Sequence, residues 1–124
     1  MEKKVLTLTV SKQWFDMIVS GEKTEEYREI KPYWVTRLYD VFAKNPTKYL
    51  MDKKISGDID YLKLIIRCNH FIGKPYTHVL FINGYGNDKP RVEKEIESIS
   101  IGKPKKGWCP DEFLDKEYFV IKFK

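Results

Sequence analysis

The stretch from Gly21 to Arg28 constrains the fold most, because it joins a predicted helix directly to a predicted strand. Residues 11–20 have the apolar spacing of an amphipathic helix. Gly21 follows, at the position after a helix where a residue able to adopt a positive φ is favoured. Residues 24–30 then alternate in the manner of a β-strand. A chain with this junction is expected to pack a helix close to the start of a strand.

The predicted strand collects charged side chains on one face, because alternate residues of a strand point the same way. The residues of this face are Thr24, Glu26 and Arg28. Lys23 lies at the turn and is expected to be free to reach over the start of the strand. An ammonium, a carboxylate and a guanidinium would then share one small area. Such a group is either a ligand site or a structural ion pair, and exposed pairs contribute little to stability.

The spacing Gly-x-Lys-x-x-Glu-x-Arg, filled here by Gly21, Lys23, Glu26 and Arg28, resembles the signature of the ASCH domain. The resemblance extends to a first strand over 5–10, an aromatic helix after Pro32, a Gly84–Gly86 loop and a closing strand over 118–123. It implies a PUA-like β-barrel associated with RNA, in which the motif residues line a cleft with the two glycine-containing loops.

The remaining pattern predicts one α+β domain over residues 1–124, with two to three helices and five to six mostly antiparallel strands. The helices are predicted over 11–20 and 32–43. The strands are predicted over 5–10, 24–30, 62–68, 77–83, 91–101 and 118–123. Rolling these strands into a small barrel would remove exposed sheet edges. Residues 44–61 have little periodicity and are expected to be a peripheral insertion without an assigned role.

The strand over 91–101 has two further features. Its first seven residues are strongly polar, which favours a solvent-facing strand over a central one. Its apolar positions change face between Ile96 and Ile99, which indicates a β-bulge.

Two loops carry further candidate ligand-binding residues. Tyr85 lies between two glycines in the loop over 84–90, and loops carry binding residues more often than cores do. The loop over 102–115 combines basic side chains with an aromatic one, at Lys103, Lys105, Lys106 and Trp108. Basic residues beside an aromatic ring attract a phosphate backbone and stack on bases, although a solvated charged face gives the same pattern.

Composition limits the remaining classes of function. The chain has 23 basic and 18 acidic residues, a surplus of +5 that favours polyanionic partners. No apolar run approaches the length of a membrane span, so a cytoplasmic location and no membrane partner are expected. No nucleotide-cofactor motif is present and no cofactor is predicted. No metal is predicted either, because the possible ligands lack paired spacing; they are Cys68, His70, His78 and Cys109.

These observations favour an RNA- or nucleotide-binding domain that uses Lys23, Glu26 and Arg28. The alternative is a small hydrolase acting on RNA or a modified nucleoside, with Lys23 and Glu26 as its catalytic residues. The ASCH-like proteins that this chain resembles include ribonucleases and an acetylcytidine amidohydrolase. In the amidohydrolase, threonine occupies the position of Glu26. The hydroxyl that this enzyme uses is therefore missing here. A domain that only binds protein partners also stays open.

Overall fold

The computed structural model describes residues 2–40, 60, 63, 66 and 72–124. The chain divides into two compact units, Met1–Tyr27 with Pro75–Lys124 and Arg28–Lys74. The single domain expected over 1–124 stays a prediction. No helix in the described ranges has the length and apolar content needed to cross a bilayer.

The described elements are strands and short helices. In chain order they are β1 (Val5–Val10), α1 (Lys12–Ser20), β2 (Glu25–Arg28), α2 (Pro32–Leu38), β3 (Tyr39–Asp40), β4 (Ile72–Gly73), β5 (His78–Asn83), β6 (Arg91–Gly102), a short 3-10 helix (Asp111–Phe113) and β7 (Tyr118–Phe123). The elements that match their predicted ranges most closely are β1, α1, β5, β6 and β7.

The main sheet has the strand order β1-β5-β6-β7-β2. β1 runs parallel to β5, and β5–β6 and β6–β7 are antiparallel pairs. The α+β class is therefore confirmed, with a mixed sheet. Within the described residues this sheet is not closed, since β1 and β2 are its two ends, so the predicted barrel is not confirmed.

The core of the larger unit follows the sequence pattern. Leu6, Leu8 and Val10 alternate along β1 and are buried. Phe15 and Ile18 are the buried residues of α1, which packs against β5. Gly21 ends this helix at φ 86°, and its N–H donates to the carbonyl oxygen of Ile18 over 3.2 Å.

The helix predicted over 32–43 is too long. It ends at Leu38, and Tyr39 takes the extended φ and ψ of −132° and 150°. β3 then pairs with β4, and the N–H of Lys74 donates to the carbonyl oxygen of Leu38 over 2.9 Å. Pairing with a distant strand therefore overrides the helical spacing of the sequence. Local periodicity does not reveal such a pairing. Residues 41–43 lie outside the described residues.

The strand predicted over 62–68 is wrong at the two residues that the structure describes there, since Lys63 and Ile66 are helical. A short apolar run fits a buried helix as well as a strand. The rest of that range, and residues 44–59 of the predicted insertion, lie outside the described residues.

The β6 strand confirms one prediction and corrects another. Its register with β7 shifts between Ile96 and Ser98, where the bulge was predicted. It is solvent-facing on one side, as predicted, but it is also central and paired on both sides, which was not expected. Its polarity is compatible with this position because an antiparallel strand can expose one face to water; Arg91, Glu93 and Glu95 are exposed.

Candidate functional site

Lys23 is buried, with 1% of its surface exposed. Lys23 is therefore not free at the turn, contrary to expectation, although its ammonium does reach Glu26 on the strand. Its backbone N–H donates to the carbonyl oxygen of Met17 over 3.0 Å, so the residue stays against the end of α1 after Gly21. A buried charge is costly unless it is paired and hydrogen-bonded, so the partners of this ammonium determine what the site can do.

The Lys23 ammonium has both charged and aromatic partners. Its Nζ lies 3.2 Å from Oε1 of Glu26, which is also buried. It donates a hydrogen bond to the carbonyl oxygen of Trp108. It also lies 4.7 Å from the ring centroid of Trp14 and 5.2 Å from that of Tyr27. All of these partners favour the ammonium over the neutral amine.

Tyr27 makes a second connection between β2 and the loop over 102–115. Its hydroxyl donates to Oε1 of Glu25 over 3.3 Å and accepts the N–H of Lys105 over 3.0 Å. Burial raises the pKa of Tyr27 strongly, the Lys105 N–H lowers it in part, and the Glu25 carboxylate raises it further. The Tyr27 N–H donates to Oε1 of Glu26 over 3.0 Å, so the network continues to the Lys23 ion pair.

These connections position a basic loop. Gly107, at φ 90°, lies in the turn in which the N–H of Trp108 donates to the carbonyl oxygen of Lys105 over 3.2 Å. The Lys105 ammonium lies 4.7 Å from the centroid of the half-buried Trp108 ring. Lys103 and Lys106 are exposed, as is Lys105. The buried ammonium of Lys23 thus holds the loop on which three exposed ammonium groups lie.

The chain has no significant match among protein-family models, curated proteins or solved structures. Membership of the ASCH family therefore stays a prediction. Functional conclusions depend on the geometry around Lys23 and on the loop that it holds.

The other two predicted site residues have different surroundings. Tyr85 is 86% exposed, and within the described residues no hydrogen bond or ring contact joins it to Lys23. Arg28 is the last residue of β2 and belongs to the smaller compact unit. Its guanidinium carbon lies 5.3 Å from the ring centroid of Trp34. The structure thus brings together Lys23, Glu26, Lys105 and Trp108.

Cys109 is a buried free thiol beside this network. Its S–H donates to the carbonyl oxygen of Lys105 at 3.9 Å. Burial raises the pKa of the thiol, and the nearby Lys23 charge lowers it only in part. Cys109 therefore packs as a neutral side chain with Tyr118 and Val120. The described residues include no group of three metal-ligating side chains, and Cys68 and His70 lie outside them.

Sequence reasoning missed two members of the network. The helical spacing of residues 11–20 predicts a core position for Trp14, but its half-buried ring lies under the Lys23 ammonium. Tyr27 was placed on the strand face opposite Glu26 and given no role. One signal in the sequence could have identified Tyr27. Glu25 and Tyr27 are two residues apart on a strand, so their carboxylate and hydroxyl share one face and can form a hydrogen bond. Their partner Lys105 is too distant in sequence to be inferred.

Proposed function

We propose that this chain is an RNA- or nucleotide-binding domain whose contact surface is the loop over 102–115. The observation that carries the proposal is the hydrogen bond from the buried Lys23 ammonium to the carbonyl oxygen of Trp108. It fixes a loop that presents Lys103, Lys105 and Lys106 to solvent. A buried charge used in this way gives the exposed lysines a defined arrangement before any ligand arrives, which lowers the entropy cost of binding.

The chemistry of this loop suits a phosphate backbone. Exposed lysines release condensed counterions when they neutralise phosphates, and this term dominates nonspecific affinity for nucleic acids. The Trp108 ring, beside the Lys105 ammonium, offers an aromatic surface for a base. The net charge of +5 favours the same partner.

Lys23 and Glu26 then act as positioning residues, since both are almost without exposed surface. This differs from the direct ligand contacts expected from the sequence. The resemblance to the ASCH signature supports RNA as the ligand, and a PUA-like barrel and a cytoplasmic location belong to the same proposal.

The geometry favours binding over the hydrolase alternative. A catalytic lysine acting as a base must be neutral and reachable. Lys23 instead faces a carboxylate, a carbonyl oxygen and two aromatic rings, which stabilise its charge and surround it. Glu26 is occupied by the same ammonium and by the Tyr27 N–H.

Binding of a short labelled RNA, measured by fluorescence anisotropy at several salt concentrations, tests the proposal. The triple variant Lys103→Gln/Lys105→Gln/Lys106→Gln is expected to bind more weakly. Its slope of log affinity against log salt should fall by about 2, because each phosphate contact on a single strand contributes about 0.7.

A second triple variant, Lys3→Gln/Lys12→Gln/Lys122→Gln, removes the same charge elsewhere on the larger unit. These lysines make exposed ion pairs with Glu93, Asp16 and Glu97, which contribute little to stability. The control should keep most of the native salt slope. Equal losses in both triple variants would show that only net charge matters, and would overturn the loop as the contact surface.

A further inference from the structure

The Trp108 ring carries a cation before any ligand binds. The Lys105 ammonium lies over this ring, 4.7 Å from its centroid. The half-buried ring also packs against a buried cluster, which consists of Tyr27, Cys109, Tyr118 and Val120. Because Lys105 is exposed, the ring face under its ammonium is the one nearest to solvent. A base and the ammonium would occupy the same space on that face, so stacking there requires the ammonium to move.

The side chain of Lys105 can leave the ring while its backbone stays fixed. The Lys105 N–H donates to the Tyr27 hydroxyl over 3.0 Å, and its carbonyl oxygen accepts the N–H of Trp108 over 3.2 Å. In the part of the chain that the structure describes, the ammonium contacts the ring and forms no ion pair. A cation–π contact at an exposed site favours the covered ring by only about 2- to 5-fold.

We infer that Lys105 and an unpaired base of single-stranded RNA exchange places on Trp108, and that the released ammonium binds an adjacent phosphate. The inference rests on the proposed function in taking RNA as the ligand, and it names the class of RNA and the exchange at the same loop. Stacking of a base on an aromatic ring contributes about 5- to 100-fold in affinity, which exceeds the contact that it replaces. The bases of a duplex are already stacked on each other, so a duplex leaves Lys105 on the ring and binds more weakly.

Lys103 provides the matched comparison for Lys105. It is an exposed lysine of the same loop, and among the described residues its ammonium contacts no ring and no carboxylate. Lys103→Gln and Lys105→Gln each remove one phosphate contact, so each should lower the salt slope by about 0.7. Lys105→Gln also uncovers the ring. When affinities for a short single-stranded RNA are extrapolated to about 1 M salt, Lys105→Gln should therefore bind about 2- to 5-fold more tightly than Lys103→Gln.

Replacing the ring tests the other half of the exchange. Trp108→Leu keeps an apolar side chain that can pack against the cluster, and should bind the single strand about 5- to 100-fold more weakly. Trp108→Phe keeps a ring and should retain most of the affinity. In the Trp108→Leu background, Lys105→Gln and Lys103→Gln should no longer differ, because no ring is left to uncover.

The possible outcomes separate this inference from the proposed function. Equal extrapolated affinities of Lys105→Gln and Lys103→Gln in the native background would overturn the exchange. Equally tight native binding of a duplex of the same length would also overturn it. In either case, a lower salt slope of the triple variant at 103, 105 and 106 would leave the proposed function standing. A native chain that bound neither RNA would refute both proposals. Thermal unfolding of each variant verifies that losses of affinity come from folded protein.

Discussion

At the scale of single residues, Lys23 shows how a buried charge can be compensated. Its ammonium gives up hydration, which costs several kcal/mol even after the protein relaxes. A carboxylate oxygen, a carbonyl oxygen and two ring faces replace the lost water. These partners come from α1, β2 and the loop over 102–115, so the charge is satisfied only when all three are in place.

Replacing Lys23 with Met is therefore expected to destabilise the fold. Methionine keeps an apolar stem but leaves the Glu26 carboxylate buried without its cation. Breaking a buried ion pair in this way costs about 3–5 kcal/mol. Urea unfolding of native protein and Lys23→Met measures the difference in the free energy of unfolding.

The matched control is the double variant Lys23→Met/Glu26→Gln. Glutamine has no charge to leave uncompensated, and its side-chain oxygen can still accept the Tyr27 N–H. The double variant should be more stable than Lys23→Met alone, because neighbouring changes in one network are not additive. A double variant as unstable as the single one would show that the carboxylate is not the source of the loss.

Tyr27 predicts an alkaline limit to stability. Its pKa is raised by burial above the value near 10 of an exposed phenol. Above that pH the unfolded chain loses a proton that the native state keeps, so stability must fall as pH rises, by up to about 1.4 kcal/mol per pH unit. Below it, the contribution of Tyr27 is fully present and does not change with pH.

Urea unfolding at a series of alkaline pH values tests this dependence. The raised pKa values of Tyr39 and Cys109 act in the same direction and are present in both proteins. Tyr27→Phe is therefore expected to reduce the slope without abolishing it. Identical slopes for native protein and Tyr27→Phe would contradict the assignment.

At the scale of elements, the junction between α1 and β2 depends on Gly21. A Cβ atom built there would meet nothing within 4 Å, so space is not the constraint. The constraint is the φ of 86°, which residues other than glycine and asparagine rarely adopt. The turn leads directly to Lys23, which packs back against α1 through Met17.

Gly21→Ala should lower the free energy of unfolding by about 1 kcal/mol, the cost of a left-handed backbone for alanine. Gly21→Asn should cost less, since asparagine tolerates this conformation better. Thermal unfolding monitored by circular dichroism ranks the three proteins. Asparagine that was as destabilising as alanine would indicate that the side chain meets an obstacle and that the backbone conformation is not the cause.

The same scale shows what local pattern can and cannot predict. The strands β1 and β7 and the β6 bulge were predictable because they depend on alternation within one segment. The early end of α2 was not, because it depends on pairing with a strand distant in the sequence. The helical backbone at Lys63 was not either, because a short apolar run fits a helix as well as a strand. The Lys23–Glu26 pair was visible as a motif, but its burial depends on Trp108, which belongs to a loop 85 positions away.

At the scale of the whole molecule, the sequence indicated the α+β class but not the strand order. Hydrophobic alternation shows that a segment is a strand and which face it buries, yet says nothing about which neighbour it pairs with. The parallel pairing of β1 with β5 is the main consequence, since mostly antiparallel neighbours were expected. The polar residues of β6 also led to the wrong prediction that this strand is not central. The sequence of a central strand that exposes one face resembles that of an edge strand.

The parallel pair has a consequence for synthesis on the ribosome. Val5 of β1 pairs with His78 of β5, so the first strand emerges long before its partner exists. At roughly 5–20 residues per second, the nascent chain spends several seconds with Leu6, Leu8 and Val10 exposed. During that interval the N-terminal segment presents an apolar strand with no native neighbour, which is a substrate for chaperones. The main sheet is thus complete only after β7 has been synthesised.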